Sequence, residues 1–207
     1  MNTAATFRAF GIRAAHDKHR AGIEQMRVDD LSSGEVLVKV ACSSVNYKDA
    51  LAGTGKGKIL REPVLNGGID VGGYVAASTD PAFKEGDQVL CTGCGLSETR
   101  DGGYAEYARL QAKWTIALPA GLTLRESMIL GTAGFTAALS LYRMQQNGQV
   151  TEMGPIVVTG ASGGVGSIAI DILTRAGLEA HAISGQIEHF DDLNARGHTQ
   201  SIYRTDL

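Results

Sequence analysis

The first half of the chain alternates apolar and polar residues over short stretches that end at glycine, aspartate or proline. In "EVLVKVACSS" every second residue is apolar, which is the period of a half-buried strand. These positions are Val36, Val38, Val40 and Cys42. Further predicted strands are "DVGGYVAAS", "DQVLCTG", "GYAEYARL" and "WTIALP", whose glycines indicate bulges or close backbone approach. From Phe7 to about Leu118 the pattern predicts a small, mostly antiparallel β unit.

The pattern changes at Thr123. Thr123 and Glu126 form a T-x-x-E capping box, and few helix breakers follow before about Gln146, so we predict one long helix there. An apolar strand "PIVVTG", a glycine turn, a helix, a strand "EAHAIS" and a helix "IEHFDDLNAR" come next, with "SIYR" as the start of a third strand. This order predicts a parallel sheet with helical crossovers. The helix after the glycine turn has one predicted sheet-facing side, formed by Val165, Ile168, Ala169, Ile172, Leu173 and Ala176.

The predicted fold class is therefore α/β with β: a mostly antiparallel β domain, followed by a partial Rossmann (βαβα) unit. We place the β domain at residues 1–122, and the connecting helix with the partial Rossmann domain at 123–207. With 43% hydrophobic residues in 207, such a chain can bury a sizeable core.

The amino-acid composition limits which binding partners and which cellular compartment are expected. A formal net charge of −3 offers no basic surface for nucleic acid or for an anionic membrane, so neither is expected as a partner. Three cysteines, an odd number, indicate reduced thiols rather than a disulfide framework. Arg8 and Arg13 interrupt the N-terminal stretch before an apolar run of signal-peptide length, and no segment is long enough to span a membrane. We expect a cytoplasmic protein.

The glycine turn "VVTGASGGVGSIAI" is the strongest candidate site. Glycines between a strand and a helix allow positive φ angles and close approach of a ligand, and the helix N-terminus attracts a pyrophosphate. Two registers fit the dinucleotide fingerprint loosely, 161–166 and 164–169. Residues 160–164 also spell G-x-S-x-G, the nucleophile elbow of a serine hydrolase, with Ser162 as the nucleophile. A purely structural tight turn is the third interpretation.

The cofactor turn is favoured over the elbow. An elbow serine needs an acid and a histidine on later loops, whereas the available side chains lie in the next predicted strand and helix. These are His181, His189, His198, Asp191 and Asp192. Gly164 and Gly166 serve a phosphate turn and add nothing to an elbow. At the end of the second strand, Ser184-Gly185-Gln186 offers no acid to repel a 2′-phosphate, which favours NADPH over NADH. The alternative for these three residues is a polar turn.

Four stretches in this order carry a family resemblance: "SSVNYKDALAGTGKGKI", "GGIDVGGYV", "GTAGFTAALSL" and "VVTGASGGVGS". The chain resembles the zinc-independent quinone oxidoreductase branch of the medium-chain dehydrogenase/reductase superfamily, in particular its acrylyl-CoA reductase group. The resemblance implies a GroES-like catalytic domain and a Rossmann domain holding NADPH, with the active site in the cleft between them. The implied cofactor contacts are Tyr47, Thr132 near the nicotinamide, Ser162, Gly163, Gly164 and Val165 at the pyrophosphate, and Ser184, Gly185 and Gln186 at the 2′-phosphate.

Two departures from the family qualify these implications. Relatives commonly carry Arg or Lys where this chain has Gln186, and a neutral amide gives up a charge-assisted bond to phosphate. Relatives also continue well beyond Leu207, so we expect a C-terminally truncated chain: a fragment, a frameshifted product, or a subunit completed by another copy. No metal site is expected, because "GGID" stands where zinc-dependent members have histidine and Cys91-x-x-Cys94 lacks two further ligands.

The implied reaction is hydride transfer from NADPH to a small-molecule acceptor, either an enoyl-CoA or a quinone. Without zinc, the developing charge on the acceptor oxygen needs hydrogen-bond donors. Asn46 and Tyr47 are the candidate catalytic residues, with Asp49 orienting its neighbours or Lys48. The alternative for this stretch is a helix start capped by Ser44 or Asn46.

Three further expectations concern the loop and the whole chain. A cluster of cations beside these residues is either a phosphate-steering patch for CoA or a solvated loop face: Lys48, Lys56, Lys58 and Arg61. A homo-oligomer is possible. The alternative functions are a non-catalytic cofactor-binding fragment and a serine hydrolase using Ser162.

Overall fold

The computed structural model describes residues 6–15 and 18–206. The chain divides into two compact units, Met1–Thr132 and Ala133–Leu207, called here the β unit and the α/β unit. No helix in the described ranges is long and apolar enough to cross a membrane.

The β unit contains two antiparallel sheets. Its elements are β1 (Thr6–Ala15), β2 (Lys18–Arg27), β3 (Val36–Cys42), α1 (Tyr47–Thr54), β4 (Val64–Asn66), β5 (Asp70–Ser78), β6 (Gln88–Thr92), β7 (Tyr107–Leu110) and β8 (Ile116–Ala117). One sheet has the strand order β2-β1-β4, and the other has the order β7-β3-β5-β6-β8. Every pair in them is antiparallel, as the alternating pattern predicted.

The core of the β unit follows the pattern of β3. Val36 and Val38 are completely buried and pack in one cluster with apolar residues of β5, β6 and β7. Leu37, on the opposite face, is buried as well, in a second cluster with Phe7 and Leu31. The sequence predicted that β3 is buried on one face only. At its start β3 is instead buried on both faces, because the chain around β1 lies over the second face.

The long helix α2 (Leu124–Gln146) has the predicted ends but is broken inside. The capping box is present: Glu126 N–H donates to Thr123 Oγ1 at 3.2 Å, and Thr123 N–H donates to Glu126 Oε2 at 2.8 Å. At Gly131 the backbone leaves helical geometry, with φ 46° and ψ −151°. A Cβ there would lie 2.6 Å from Ser44 Oγ and 2.8 Å from Asp70 Oδ2, so only glycine fits. The prediction of one uninterrupted helix was wrong at this residue.

The α/β unit contains the predicted alternation of strands and helices. After α2 come β9 (Ile156–Thr159), α3 (Gly164–Arg175), β10 (Ala180–Ser184), α4 (Phe190–Ala195) and β11 (Gln200–Tyr203). The three strands form a parallel sheet in the order β11-β10-β9.

The buried face of α3 differs from the predicted one. Gly166, Ile170 and Leu173 are buried, whereas Val165, at the start of the predicted face, is exposed. The reason is backbone contact at Gly166, where a Cβ would come within 2.4 Å of the Gly160 carbonyl oxygen. Because the helix approaches the turn at this glycine, the residues one and two turns later face the sheet.

Candidate functional site

Asp70, the first residue of β5, is the centre of a buried hydrogen-bond network in the β unit. Its carboxylate accepts from Asn46 Nδ2 at 2.8 Å, from the Thr132 hydroxyl at 2.6 Å and from Thr132 N–H at 3.1 Å. The Ser44 hydroxyl donates to it as well. A buried carboxylate needs such donors to replace its lost hydration. Asp70 therefore brings together two predicted site residues, Asn46 and Thr132, that lie far apart in the sequence.

The break in α2 makes the Thr132 contacts possible. A continuous helix would direct the N–H of residue 132 along the helix axis, to the carbonyl four residues earlier. The left-handed Gly131 turns this N–H toward Asp70 instead, and the Thr132 side chain follows it. Gly131, the first residue of "GTAGFTA", thus has a specific structural function in the β unit.

Asp49 is a positioning residue rather than an open functional group. It is only 6% exposed, and its carboxylate accepts from the backbone N–H groups of Asn46, at 2.8 Å, and Ile69, at 3.0 Å. The Tyr104 hydroxyl lies 3.2 Å from the same carboxylate and 2.9 Å from the Ser44 carbonyl oxygen. Burial, and then the negative charge of Asp49, raise the pKa of Tyr104, so this hydroxyl stays protonated and can donate.

Asn46 is held at two points by these carboxylates. Its backbone N–H binds Asp49 and its side-chain amide binds Asp70, while the residue occupies the N-cap position of α1. The two interpretations from the sequence, helix start and candidate functional residue, are compatible. The Asn46 amide nitrogen carries two hydrogens: it donates to Asp70 at 2.8 Å and makes a longer contact with Ser44 Oγ at 3.5 Å. The contact with Ser44 is at the limit of hydrogen-bond length, so this second hydrogen can serve a closer acceptor.

Tyr47 and Lys48 follow at the start of α1. Tyr47 is 81% exposed, with its ring outside the packed core. Lys48 does not contact Asp49: its Nζ lies 2.5 Å from Glu98 Oε2, and Arg61 Nε lies 3.8 Å from Glu98 Oε1. The hydrogen bond from Lys48 and its charge lower the pKa of Glu98. Two of the four loop cations are thus paired with one carboxylate.

In the α/β unit, the glycine turn presents an open helix N-terminus. Gly160 has φ 62°, and Gly163 N–H closes the turn on the Gly160 carbonyl oxygen at 2.9 Å. The first backbone N–H groups of a helix have no acceptor within it. Here they belong to Gly164, Val165 and Gly166, and the first two of these residues are exposed. These N–H groups and the helix dipole fit a pyrophosphate.

A cavity of about 430 Å³ lies beside α3 and includes the glycine turn, with Gly160 and residues 163–166 in its lining. It is lined mostly by aliphatic side chains from the C-terminal part of α2, from β9 and from α3, among them Leu141, Ile156 and Leu173. The aliphatic part of this lining does not suit the phosphate groups of a dinucleotide, whereas the backbone N–H groups of the turn do. The polar groups of the candidate cofactor site instead come from the turn and from the end of β10.

Ser162 contacts that strand end. Its hydroxyl lies 2.9 Å from Ser184 Oγ and donates to Gln186 Oε1 at 3.0 Å. Both partners are neutral, and within the described ranges no hydrogen bond joins Ser162 to a histidine. Ser184 is buried, and its Oγ also accepts from Gln186 N–H at 3.1 Å. Ser162, Ser184 and Gln186 are therefore brought together, and among the described residues Ser162 has no hydrogen bond to the general base that a nucleophilic serine requires.

Arg204 is the residue of this site that the sequence analysis missed. Ser184 pairs with Tyr203 in the parallel ladder, so the residues after both strands meet at one edge. A Cβ on Gly185 would lie 3.2 Å from the Arg204 Cζ, which places a guanidinium directly beside the exposed Gly185. The available signal was a cation at the end of "SIYR", the stretch predicted as the start of a third strand. Asp70 was missed because "GGID" was considered only for the zinc ligand it lacks.

No group of three or more His, Cys, Asp or Glu side chains that could hold a metal ion occurs among the residues the structure describes.

An antiparallel β unit, followed by a parallel sheet with a glycine turn after its first strand, is typical of medium-chain dehydrogenase/reductases. Residues 32–120 match the alcohol dehydrogenase GroES-like domain. The chain is 44% identical to the putative quinone oxidoreductase YhfP of Bacillus subtilis over 97% of its length, and 44% identical to the probable acrylyl-CoA reductase AcuI of Escherichia coli over 92%. It covers 61% and 59% of those two proteins.

Solved structures agree with this assignment. The yhdH oxidoreductase of Salmonella enterica in complex with NADP has a TM-score of 0.91 and 44% identity, with 96% of this chain and 61% of that chain covered. Bacillus subtilis yhfP with NAD bound has a TM-score of 0.91 and 43% identity, with coverages of 98% and 62%. Over the length it shares with them, the chain is similar to quinone oxidoreductases and acrylyl-CoA reductases, as its four motifs predicted, and it spans about 60% of the length of these relatives.

Proposed function

We propose that this protein is a zinc-independent, NADPH-dependent reductase whose acceptor is an activated C=C bond of an enoyl-CoA, of the acrylyl-CoA kind, or a quinone. The observation that carries the proposal is the open first turn of α3 beside the loop 184–186, in a chain 44% identical to an acrylyl-CoA reductase. The Salmonella relative binds NADP and the Bacillus relative NAD, which supports a nicotinamide cofactor in general.

The preference for NADPH depends on two side chains in the α/β unit. Gln186 Oε1 accepts from Ser162, which leaves the Gln186 amide nitrogen to donate to a phosphate oxygen. Arg204 supplies the positive charge that Gln186 lacks, next to Gly185. No acidic residue stands in the loop 184–186 to repel a 2′-phosphate. The expected contacts of the pyrophosphate are Ser162, Gly163, Gly164 and Val165.

The cofactor, when bound, supplies the hydride, and the β unit orients the acceptor and stabilises its charge. The Asn46 amide hydrogen that faces Ser44 Oγ at 3.5 Å is the proposed donor to the acceptor oxygen, because Asp70 holds the amide by its other hydrogen. Asp49 fixes the backbone of Asn46 and so acts through it. Thr132, held by the same Asp70, is the proposed neighbour of the nicotinamide, and the exposed Tyr47 is the proposed cofactor contact and proton donor.

The CoA moiety requires cations, and the structure limits which of them are available. Lys48 and Arg61 share Glu98, whereas Lys56 and Lys58 are exposed on the loop after α1. We assign the phosphate-steering function to Lys56 and Lys58. A quinone has no phosphates, so removal of these two charges distinguishes the acceptors: it raises KM for an enoyl-CoA and leaves KM for a quinone unchanged.

The test is a titration of the purified protein with NADPH and with NADH, followed by nicotinamide fluorescence, and then addition of acrylyl-CoA or a quinone. Saturable NADPH binding followed by oxidation supports the reductase. Asn46→Ala is expected to keep NADPH binding and to lower kcat at least about tenfold, since a hydrogen bond to developing charge is lost. Gln25→Ala, an exposed change on β2, is the matched control.

Binding without oxidation of NADPH would instead identify a cofactor-binding chain without turnover. We also infer a cytoplasmic location, which is consistent with three free cysteines. Homo-oligomerisation is part of the proposal and is measured by light scattering on the same preparation.

A further inference from the structure

Two of the three cysteines lie close together at the end of β6, outside the network around Asp70. Cys91 is 1% exposed and packs in the main core cluster of the β unit, with Val71 and Val89 among its neighbours. Cys94, three residues later, is exposed. The third cysteine, Cys42, is engaged elsewhere, because its thiol donates to the Leu124 carbonyl oxygen at 3.2 Å.

Cys94 lies in a tight turn that directly follows β6. Gly93 N–H donates to the Ile69 carbonyl oxygen at 2.8 Å, and Leu96 N–H closes a turn on the Gly93 carbonyl oxygen at 2.9 Å. Gly93, Cys94 and Gly95 all have positive φ angles, of 66°, 50° and 82°. In the described ranges, Cys94 is one of two non-glycine residues in this region of φ, which most side chains avoid. The Cys94 side chain is near enough to the Cys91 thiol to contribute, after burial, to its raised pKa.

We propose that Cys91 and Cys94 are a redox site, and that they form a reversible intramolecular disulfide with a peroxide as the oxidant. The exposed Cys94 attacks first: its sulfur forms a bond to one peroxide oxygen, the O–O bond breaks, and water leaves. Cys91 then attacks the Cys94 sulfenic acid, loses its proton, and releases a second water as the S–S bond forms. Two thiols thus lose two electrons and two protons, and one peroxide is reduced to two waters.

Solvent exposure determines which cysteine reacts with the peroxide and which one then forms the disulfide. Only Cys94 can meet an oxidant from solution, and a buried neighbouring thiol protects its sulfenic acid from further oxidation by resolving it. Burial raises the pKa of Cys91 to about 12, while the charge of Arg100 acts in the opposite direction. Arg100 stands over the Trp114 ring, 5.6 Å from its centroid, and its buried Nη2 has no hydrogen-bond partner among the described residues. A cation is therefore available as Cys91 loses its proton.

The disulfide would act on a segment that contacts α1. Glu98, four residues after Cys94, holds Lys48, and Gly93 is hydrogen-bonded to Ile69, next to Asp70. Formation of the bond constrains the turn between these contacts. The site itself needs no reductase activity, so its test is independent of the proposed function.

The experiment treats the reduced full-length chain with hydrogen peroxide at low molar excess, then denatures it and counts thiols with a maleimide. Three thiols are expected before oxidation and one afterwards, with a Cys91–Cys94 cross-linked peptide found by mass spectrometry and three thiols restored by a dithiol reductant. Three thiols after oxidation, a disulfide between chains, or Cys94 oxidised to sulfinic acid without a disulfide would overturn the proposal.

Cysteine substitutions identify which two residues form the disulfide. Cys42→Ser is the matched control and should fall from two thiols to none. Cys94→Ser, at an exposed position, should keep both remaining thiols under the same treatment. Loss of a thiol from Cys94→Ser at the rate of the unmodified protein would show that Cys91 or Cys42 reacts by itself, against the proposal. Cys91→Ala changes a core residue. This variant is therefore included in the thiol count only if it unfolds cooperatively, like the unmodified protein.

Discussion

The Thr132 hydroxyl donates a 2.6 Å hydrogen bond to the Asp70 carboxylate, across 62 residues of sequence. The same carboxylate receives the Asn46 amide, so one buried acid joins residues from three different segments. Asp70 thereby determines the position of two side chains that the family motifs identify, although it is not itself exposed to a ligand.

Asp70→Asn is expected to destabilise the β unit by about 1–3 kcal/mol, the cost of leaving buried donors without an acceptor. The new amide group presents an NH₂ donor to the hydroxyl and amide donors around it. Urea denaturation followed by circular dichroism measures the change, and Asp29→Asn, at an exposed position, should stay within about 0.5 kcal/mol of the unmodified protein. Equal stability of the two variants would contradict the structural role of Asp70.

Gly166→Ala and Gly164→Ala test the packing of α3 on the turn. A Cβ at Gly166 would lie 2.4 Å from the Gly160 carbonyl oxygen, whereas a Cβ at Gly164 would lie 3.5 Å from Ala133 Cβ, an ordinary contact. We expect Gly166→Ala to cost about 1–3 kcal/mol from overpacking. Gly164→Ala should be neutral, or gain up to about 1 kcal/mol from helix propensity. Thermal unfolding compares them, and a reversed order would show that Gly166 does not contact the turn.

Arg204→Gln tests the proposed preference for NADPH. Loss of one charge-assisted hydrogen bond to the 2′-phosphate should weaken NADPH binding about tenfold or more and leave NADH binding unchanged. Fluorescence titration with both cofactors gives the ratio, and Arg175→Gln, an exposed change in the last turn of α3, is the control. An equal loss for both cofactors would indicate a structural effect of Arg204 and not recognition of the phosphate.

Cys91 makes stability depend on alkaline pH. Its pKa is raised by burial from the ordinary value of 9.0 to about 12, so the neutral thiol is favoured in the folded chain. This contribution is fully present below pH 9 and is lost as the pH rises toward 12, because the unfolded chain ionises first. The free energy of unfolding should therefore fall across this range, and by less in Cys91→Ala. An identical pH dependence in both proteins would exclude Cys91 as a source.

Reactivity toward iodoacetamide at pH 8 checks the same pKa without denaturation. Cys91 is protonated there and buried, so Cys94 should be alkylated first and Cys91 only on unfolding. Peptide mapping identifies the modified residue.

Much of the fold follows from local patterns in the sequence. The alternation in β3, the capping box of Thr123 and Glu126, and the glycine turn before α3 each depend on neighbouring residues, and each is present in the structure. The break at Gly131 was not predictable in this way, since a glycine inside a helix pattern is usually tolerated. Its cause is the proximity of Ser44 and Asp70, which lie in other segments.

For the candidate site, the sequence by itself determined which residue types are present and where they stand along the chain: Asn46, Tyr47 and Asp49 at one helix start, and Ser162 to Val165 at another. Only the tertiary structure decided their partners. Asp49 binds Ile69 and Tyr104 and not Lys48, and Arg204 lies beside Gly185. The reason is physical: the patterns of helices and turns arise from residues within a few positions. Hydrogen-bond partners depend instead on strand register and on where the chain bends, which distant packing determines.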